Sequence, residues 1–202
     1  MIFLCSDGFT STSLTAAFGR YAPPHGKAAL VVTADPEYKE QNRHVPRSQS
    51  ELEGFGLSVE IVDIDKTDAA MLLSYDAVEF IGGNPFYLMH AIRRDDAEAV
   101  LQKLAQDKVL IGWSAAAMVF GSSLALAKEY TPEINFVGLT EMSGLCLSQT
   151  TILPHYSRFI RRYDRFEERC ALYEQKSGRT VLRLNDGEGI IDFDGSITVI
   201  RN

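Results

Sequence analysis

The sequence predicts one α/β domain: a doubly wound, mostly parallel sheet with helices on both faces and a C-terminal β-hairpin. Three observations carry this reading. Short apolar runs alternate with stretches of helical periodicity. Those runs are apolar at nearly every position, as strands buried on both faces are. The C-terminal part ends in two strand-like runs around Asp194-Gly195, a dipeptide suited to a two-residue hairpin turn. At 202 residues, with no linker, internal repeat or low-complexity tract, the chain reads as a single domain, 1–202.

Taken in order, the runs at 2–5, 28–33, 59–62, 78–81 and 109–112 are four to six residues long and mostly aliphatic or β-branched. Helices are expected at 11–21, 45–54, 69–73, 85–93 and 97–106. Asn84 and Pro85 form an N-cap and first-turn pair for the fourth of these. The fifth places apolar residues at 97, 100, 101 and 104, one helical face, and Asp95 with Glu98 resembles a capping box at its start. Residues 146–153 read as a further strand. A helix over 159–175 puts Phe159, Tyr163, Phe166, Cys170 and Tyr173 on one stripe, at spacings of four, three, four and three. Strands at 180–184, 189–193 and 196–200 follow, the last two joined by the hairpin turn.

Composition excludes several classes. Hydrophobic content of 46% and charged content of 23% are those of a globular protein. A net charge of −7 is the wrong sign for a nucleic-acid binder. No apolar run approaches the roughly 18 residues that span a bilayer, so no membrane association is expected. The opening Met-Ile-Phe-Leu-Cys lacks the basic flank and length of a signal peptide. The three cysteines, Cys5, Cys146 and Cys170, are scattered and unpaired in sequence, which fits a reducing cytoplasm. There is no His-Glu-x-x-His and no Cys/His ligand cluster, so neither a metal nor a cofactor is expected.

The chemistry centres on Gly112-Trp113-Ser114-Ala115-Ala116, where a buried strand stops at a serine and a helix-forming alanine run begins. That is the layout of a nucleophile elbow, Gly-x-Ser-x-Gly, with alanine in the last place. The competing reading is Ser114 as a plain helix N-cap. A serine hydroxyl needs a base, normally histidine. His25, in a Pro-Pro-His-Gly turn, and His44, in a polar stretch, read as solvated, and His90 lies within a helix. His155 follows a strand and Pro154. Gly82-Gly83-Asn84-Pro85 also follows a strand, and its paired glycines can turn backbone amides towards an anion.

In this order, Phe80-Ile-Gly-Gly-Asn-Pro-Phe-Tyr-Leu, Ile111-Gly-Trp-Ser-Ala-Ala-Ala and Leu153-Pro-His-Tyr resemble the serine peptidases that include aspartyl dipeptidase (peptidase E) and cyanophycinase. The resemblance runs from about residue 28 to the C-terminus. It implies a fold like the class I glutamine amidotransferases, Ser114 as nucleophile, His155 as its base, and an oxyanion hole from the amides of Gly83 and Ala115. The third member of the triad is then an acid in Leu184-Asn-Asp-Gly-Glu-Gly: Asp186, with Glu188 as the competitor. Ala116 and Pro85 depart from the glycine and threonine common in the family. The implied substrate is a short peptide cut near a free N-terminus, with acidic, aspartyl residues as candidates. Asn84 and the basic stripe Arg158, Arg162, Arg165 and Arg169 are expected on the substrate side; Arg162, Arg165 and Arg169 are the candidates for binding a substrate carboxylate. The alternative is a catalytically silent relative that binds a peptide or small molecule.

Overall fold

Alternation inside the strands sets the architecture. In the computed structural model, which describes residues 1–202, β1 (Ile2–Cys5) sends Ile2 and Leu4 into one apolar cluster and Phe3 and Cys5 into another. The same alternation holds in β2 (Lys27–Val31), where Ala29 and Val31 face one way and Ala28 and Leu30 the other. A sheet with two apolar faces must be covered on both. One cover is α1 (Thr12–Gly19) and α2 (Val45–Gly54), which bury Phe18 and Leu52 against the face of Phe3, Cys5, Ala28 and Leu30. The other face receives α3 (Pro85–Arg94), α4 (Glu98–Asp107) and α5 (Ala115–Phe120).

With β3 (Ser58–Val62), β4 (Ala77–Phe80), β5 (Val109–Trp113), β8 (Gly189–Phe193) and β9 (Ser196–Ile200), the sheet has seven strands in the order β3-β2-β4-β5-β1-β8-β9. The first five are parallel; β8 runs antiparallel to β1 and β9 to β8. Asp194 and Gly195 both take positive φ, 50° and 80°, so the hairpin turn is of the type the dipeptide favours. β3, read as a buried strand, is the exposed edge: Ser58, Glu60 and Ile61 face solvent. A separate two-stranded parallel sheet joins β6 (Thr151–Leu153) to β7 (Val181–Arg183), beside α6 (Ala125–Tyr130), α7 (Tyr156–Arg162) and α8 (Phe166–Ser177).

Three expectations are corrected. The strand at 146–153 is only Thr151–Leu153, because the preceding amides are drawn to carbonyls at the end of α5: Leu145 N to Val119 O, Cys146 N to Gly121 O and Ser148 N to Phe120 O. The helix at 159–175 is two helices, broken at Tyr163 and at Arg165, which is left-handed with φ 49°. The break brings Phe159 and Phe166 together (ring centroids 5.6 Å apart) under Tyr130, so the apolar stripe is kept while the basic stripe is cut in two. The Asp95/Glu98 capping box does not form. Ala97 precedes α4 without a side-chain bond, and Asp95 closes α3 and pairs with Arg94.

The interior of the sheet holds one carboxyl, Glu79 on β4, fully buried, with Oε1 accepting from the Trp113 indole N–H at 2.9 Å. Burial pushes it from its ordinary 4.5 up to about 8, and the Glu51 charge adds to that; the Trp113 bond and the Arg47 charge oppose it. A raised acid is protonated in the folded chain where the unfolded chain has already ionised. Its stabilising effect is therefore complete below pH 4.5 and is lost as pH rises towards about 8. Glu79→Gln cannot ionise and still offers an oxygen to Trp113. Melting scans from pH 5 to 8 should show a decline in Tm for the parent protein that is clearly flatter in Glu79→Gln; parallel slopes would show that Glu79 is ionised in the folded chain as it is in the unfolded one.

Candidate active site

The C-terminal ends of β4, β5 and β1 lie side by side in the sheet, and each runs directly into a residue of the site: Gly82-Gly83 beyond β4, Ser114 after β5 and Ser6 after β1. In doubly wound sheets this edge is where ligand groups collect.

Ser114 sits on the turn between β5 and α5 with φ 53° and ψ −111°, a conformation costly for a residue with a Cβ. The turn is sharp because α5 folds straight back over the strand. A Cβ on Gly112 would lie 2.8 Å from the Phe120 ring, which is why that position is glycine. Ala116, in the other small position, is tolerated as a fully buried core residue. The Ser114 side chain makes no capping bond to the helix, against the N-cap reading; its Oγ lies 2.8 Å from His155 Nε2.

His155 begins α7 in a left-handed conformation, φ 55° and ψ 31°, at the end of β6. Its Nδ1 lies 2.6 Å from Asp186 Oδ1. Asp186 is the central residue of the Asn-Asp-Gly turn after β7, and its other oxygen accepts from Arg158 at 2.6 Å. Burial pushes the Asp186 carboxyl up, but the hydrogen bond from His155, the charges of His155 and Arg158, and the Ser6 hydroxyl together hold it below the usual carboxylate range. Glu188 is turned away. It accepts from Asn185 N at 2.8 Å and from Arg201 at 2.6 Å, closing the turn from inside.

Gly83 has φ 155°, and a Cβ there would stand 2.3 Å from Ala34 O, so only glycine fits. Its neighbour Asn84 spends its side chain on structure. Oδ1 accepts from Phe86 N and Tyr87 N, and Nδ2 donates to Ile134 O. It therefore does not reach substrate space. Neither the Gly83 nor the Ala115 amide has a backbone acceptor outside the regular elements, and both residues border the space beside Ser114 Oγ.

A polar cleft of about 590 Å³ opens over Ser114, lined by Asp7, Asp35, Tyr38, Asn42, Arg43, His44, Trp113 and Arg158 among others. Arg162, Arg165 and Arg169 are not in it. Arg162 lies over the Tyr163 ring, Arg165 pairs with Glu168, and Arg169 pairs with Glu129 over the Tyr130 ring. The helix break takes Arg165 and Arg169 away from Arg158, while Arg162, at the last residue of α7, is turned onto Tyr163. His44 is not solvated either: it stands edge-on to Trp113, and burial followed by the charges of Arg47 and Arg43 lowers its pKa. Sequence reasoning missed Ser6, Arg43 and His44. Ser6 had a signal, because it follows the first strand at the same edge; Arg43 and His44 lie on a loop that only the fold brings over Ser114. No group of three His, Cys, Asp or Glu side chains is arranged to hold a metal.

A serine on a strand-to-helix turn of a doubly wound sheet, bonded to an imidazole that is bonded to a carboxylate, defines an α/β enzyme of the serine-hydrolase type. The chain belongs to peptidase family S51, whose profile matches residues 25–200, and it is a peptidase by that membership. It is 28% identical over 137 residues to an uncharacterised peptidase of Listeria monocytogenes serovar 1/2a, across 65% of this chain and 67% of the relative. It is 29% identical over 85 residues to peptidase E of a Shewanella strain (W3-18-1), across 42% of this chain and only 34% of that protein. The fold matches the crystal structure of a candidate peptidase E from Listeria monocytogenes EGD-e, with TM-score 0.78 and 23% identity over 100% of this chain and 98% of that one. It also matches a peptidase from an acI-B1 actinobacterium, with TM-score 0.69 and 13% identity over 94% and 81% of the two chains. No helix is long and apolar enough to cross a membrane.

Ser6 is fully buried and ties the site together: its Oγ donates to Asp186 Oδ1 at 3.1 Å and accepts from His155 N at 2.8 Å. Ser6→Ala leaves the His155 amide without its partner. It should lower unfolding stability by about 1–3 kcal/mol, read from urea titration; a change under about 0.5 kcal/mol would mean that water replaces the hydroxyl.

Proposed function

We propose that the chain hydrolyses short peptides near a free N-terminus through a Ser114–His155–Asp186 triad and an acyl-enzyme. The observation that carries this is the unbroken line of contacts, 2.8 Å from Ser114 Oγ to His155 Nε2 and 2.6 Å from His155 Nδ1 to Asp186. Neutral His155, held by Asp186 with its proton on Nδ1, takes the Ser114 proton as Oγ attacks the scissile carbonyl. The tetrahedral oxyanion accepts from the amides of Gly83 and Ala115. His155 then gives its proton to the departing amine, and a water repeats the sequence in reverse to free the acid.

The cleft's charges support the substrate class. Asp35, whose oxygens accept from Glu37 N, Tyr38 N and the Asn42 amide, brings a negative charge to the cleft for a free α-ammonium, and Arg43 and Arg158 bring positive charge for an acidic side chain. Arg158 already holds Asp186 and Asp7, so Arg43 is the arginine with more freedom to meet substrate. N-acetylation of an aspartyl dipeptide should therefore abolish turnover, and Arg43→Ala should slow aspartyl dipeptides at least about tenfold more than alanyl ones.

Ser114→Ala should lose at least three orders of magnitude of turnover, and all labelling by a fluorophosphonate, with its circular dichroism unchanged. Parent-like hydrolysis by a pure Ser114→Ala preparation, or a parent protein that neither labels nor cleaves any dipeptide, would overturn the reading in favour of a silent binding relative. Asp186→Asn should cost at least about 10²-fold in kcat, since asparagine can hold the wrong imidazole tautomer. Glu188→Gln should cost much less.

A further inference from the structure

A second cavity meets Ser114 from the opposite side. It holds about 110 Å³ and shares Gly83, Ser114 and His155 with the polar cleft, so the two spaces join at the hydroxyl. Its walls come from separate elements, chiefly Met118 of α5, Leu126 of α6, Ile134, Leu153 of β6 and Phe159 of α7. None of its lining residues is Asp, Glu, Lys or Arg. Apart from the Ser114–His155 pair and the amides of Gly83 and Ala115 beside it, the polar side chains in its walls are spoken for. Tyr130 turns its hydroxyl to Phe166 O and the Cys170 sulfur, and Thr131 Oγ1 donates to Ala127 O at 2.9 Å. Pro85 brings neither an N–H nor a hydroxyl to the lining. What faces inward is hydrocarbon. Leu126 and Leu153 are themselves buried in a third core, packed with Tyr130, Phe166, Cys170 and Val181, so the walls are not a mobile flap.

We infer that this cavity is the subsite for an aliphatic side chain, up to leucine in size, on one of the two residues joined by the cleaved bond. The inference rests on the serine-peptidase reading above and adds a substrate requirement to it. Size sets the class: a cavity of about 150 Å³ takes benzene, so about 110 Å³ takes a branched aliphatic chain and excludes indole. Chemistry sets the sign, because a charged side chain would lose its hydration here and find no counter-charge. Position sets the consequence: an aliphatic group seated beside Gly83, Ala115 and Ser114 displaces water from the place where the oxyanion forms. The substrate is thus two-sided, with the charged N-terminal portion over the polar cleft and an aliphatic side chain in the apolar pocket.

The test is a pair of dipeptide series with free N-termini, Ala-Xaa and Xaa-Ala, where Xaa is Gly, Ala, Val, Leu, Glu or Lys. In one series, and only one, kcat/KM should rise from Gly to Leu by at least about tenfold and fall below the Gly value for Glu and Lys. Ala127→Leu, which fills the cavity, should bring the Leu-to-Gly ratio in that series close to one. Should that variant misfold, Thr131→Asp, at a half-exposed lining position, puts a carboxylate in the wall and should move the preference from Leu to Lys. A flat response from Gly to Leu in both series, from protein that still labels at Ser114, overturns the subsite and leaves the serine chemistry standing. An aliphatic preference unchanged by both variants also overturns it. Absence of both labelling and turnover overturns the subsite and the proposed function together.

Discussion

Ser114 N–H donates to Cys5 O at 3.0 Å, and that bond belongs to the last register pair of the parallel β1–β5 ladder, in which Cys5 faces Trp113. Everything at the site depends on it. The ladder ends there, so the chain must leave the sheet within one residue, and the only route that also covers the apolar face is the tight return of α5. The cost is the positive φ of Ser114, which no solvated turn would sustain. The surrounding sheet and the α5 core, fully buried from Ala116 to Ala117 and from Val119 to Phe120, hold it in place. A serine forced into that conformation presents its hydroxyl outward, away from its own helix.

The residues that meet that hydroxyl arrive on three further loops, and one buried group links two of them to the sheet. Ser6 bonds the His155 amide and the Asp186 carboxylate, while its own amide donates to Glu188 O at 2.9 Å. The β1 end therefore anchors the loop before α7 and the turn after β7. Glu188 contributes differently, as an internal brace for the Asn185–Gly187 turn that carries Asp186. Two acids two residues apart thus have distinct surroundings, one facing imidazole and guanidinium and the other folded under its own turn.

The site is asymmetric in its solvation. On one side charged and amide-bearing residues from the loop after β2 and from α7 keep the cleft wet; on the other, the third core presents hydrocarbon. Trp113 forms the floor between them and the sheet, steadied by Glu79 beneath and by Arg47 and His44 alongside. Wet and dry walls around one hydroxyl let a peptide be oriented by charge at one end and by desolvation at the other.

Elements whose signal is local were legible in the residues themselves. Two-sided apolar strands, the Asn84-Pro85 helix start and the Asp194-Gly195 turn follow from period and backbone preference, and their positions agree with the structure to within a few residues. Ser114 and His155 were legible as candidates because each follows a strand-like run, and the resemblance narrowed the acid to Asp186 or Glu188. Motif and topology point the same way there. The arginine stripe misled because helical spacing assumes an unbroken helix, and at the break, Tyr163–Arg165, Tyr163 and Phe166 pack on Tyr130, a contact with a segment more than thirty residues upstream in sequence. The strand at 146–153 failed for a similar reason, its amides being claimed by the end of α5. The sequence alone determined the layering, most of the strand positions and the candidate groups of the site, since these depend on side-chain period and residue chemistry. Which arginines reach the cleft, which acid faces His155, and that an apolar pocket adjoins the serine were decided only in three dimensions. Each depends on where loops from distant elements converge, and no local preference encodes that.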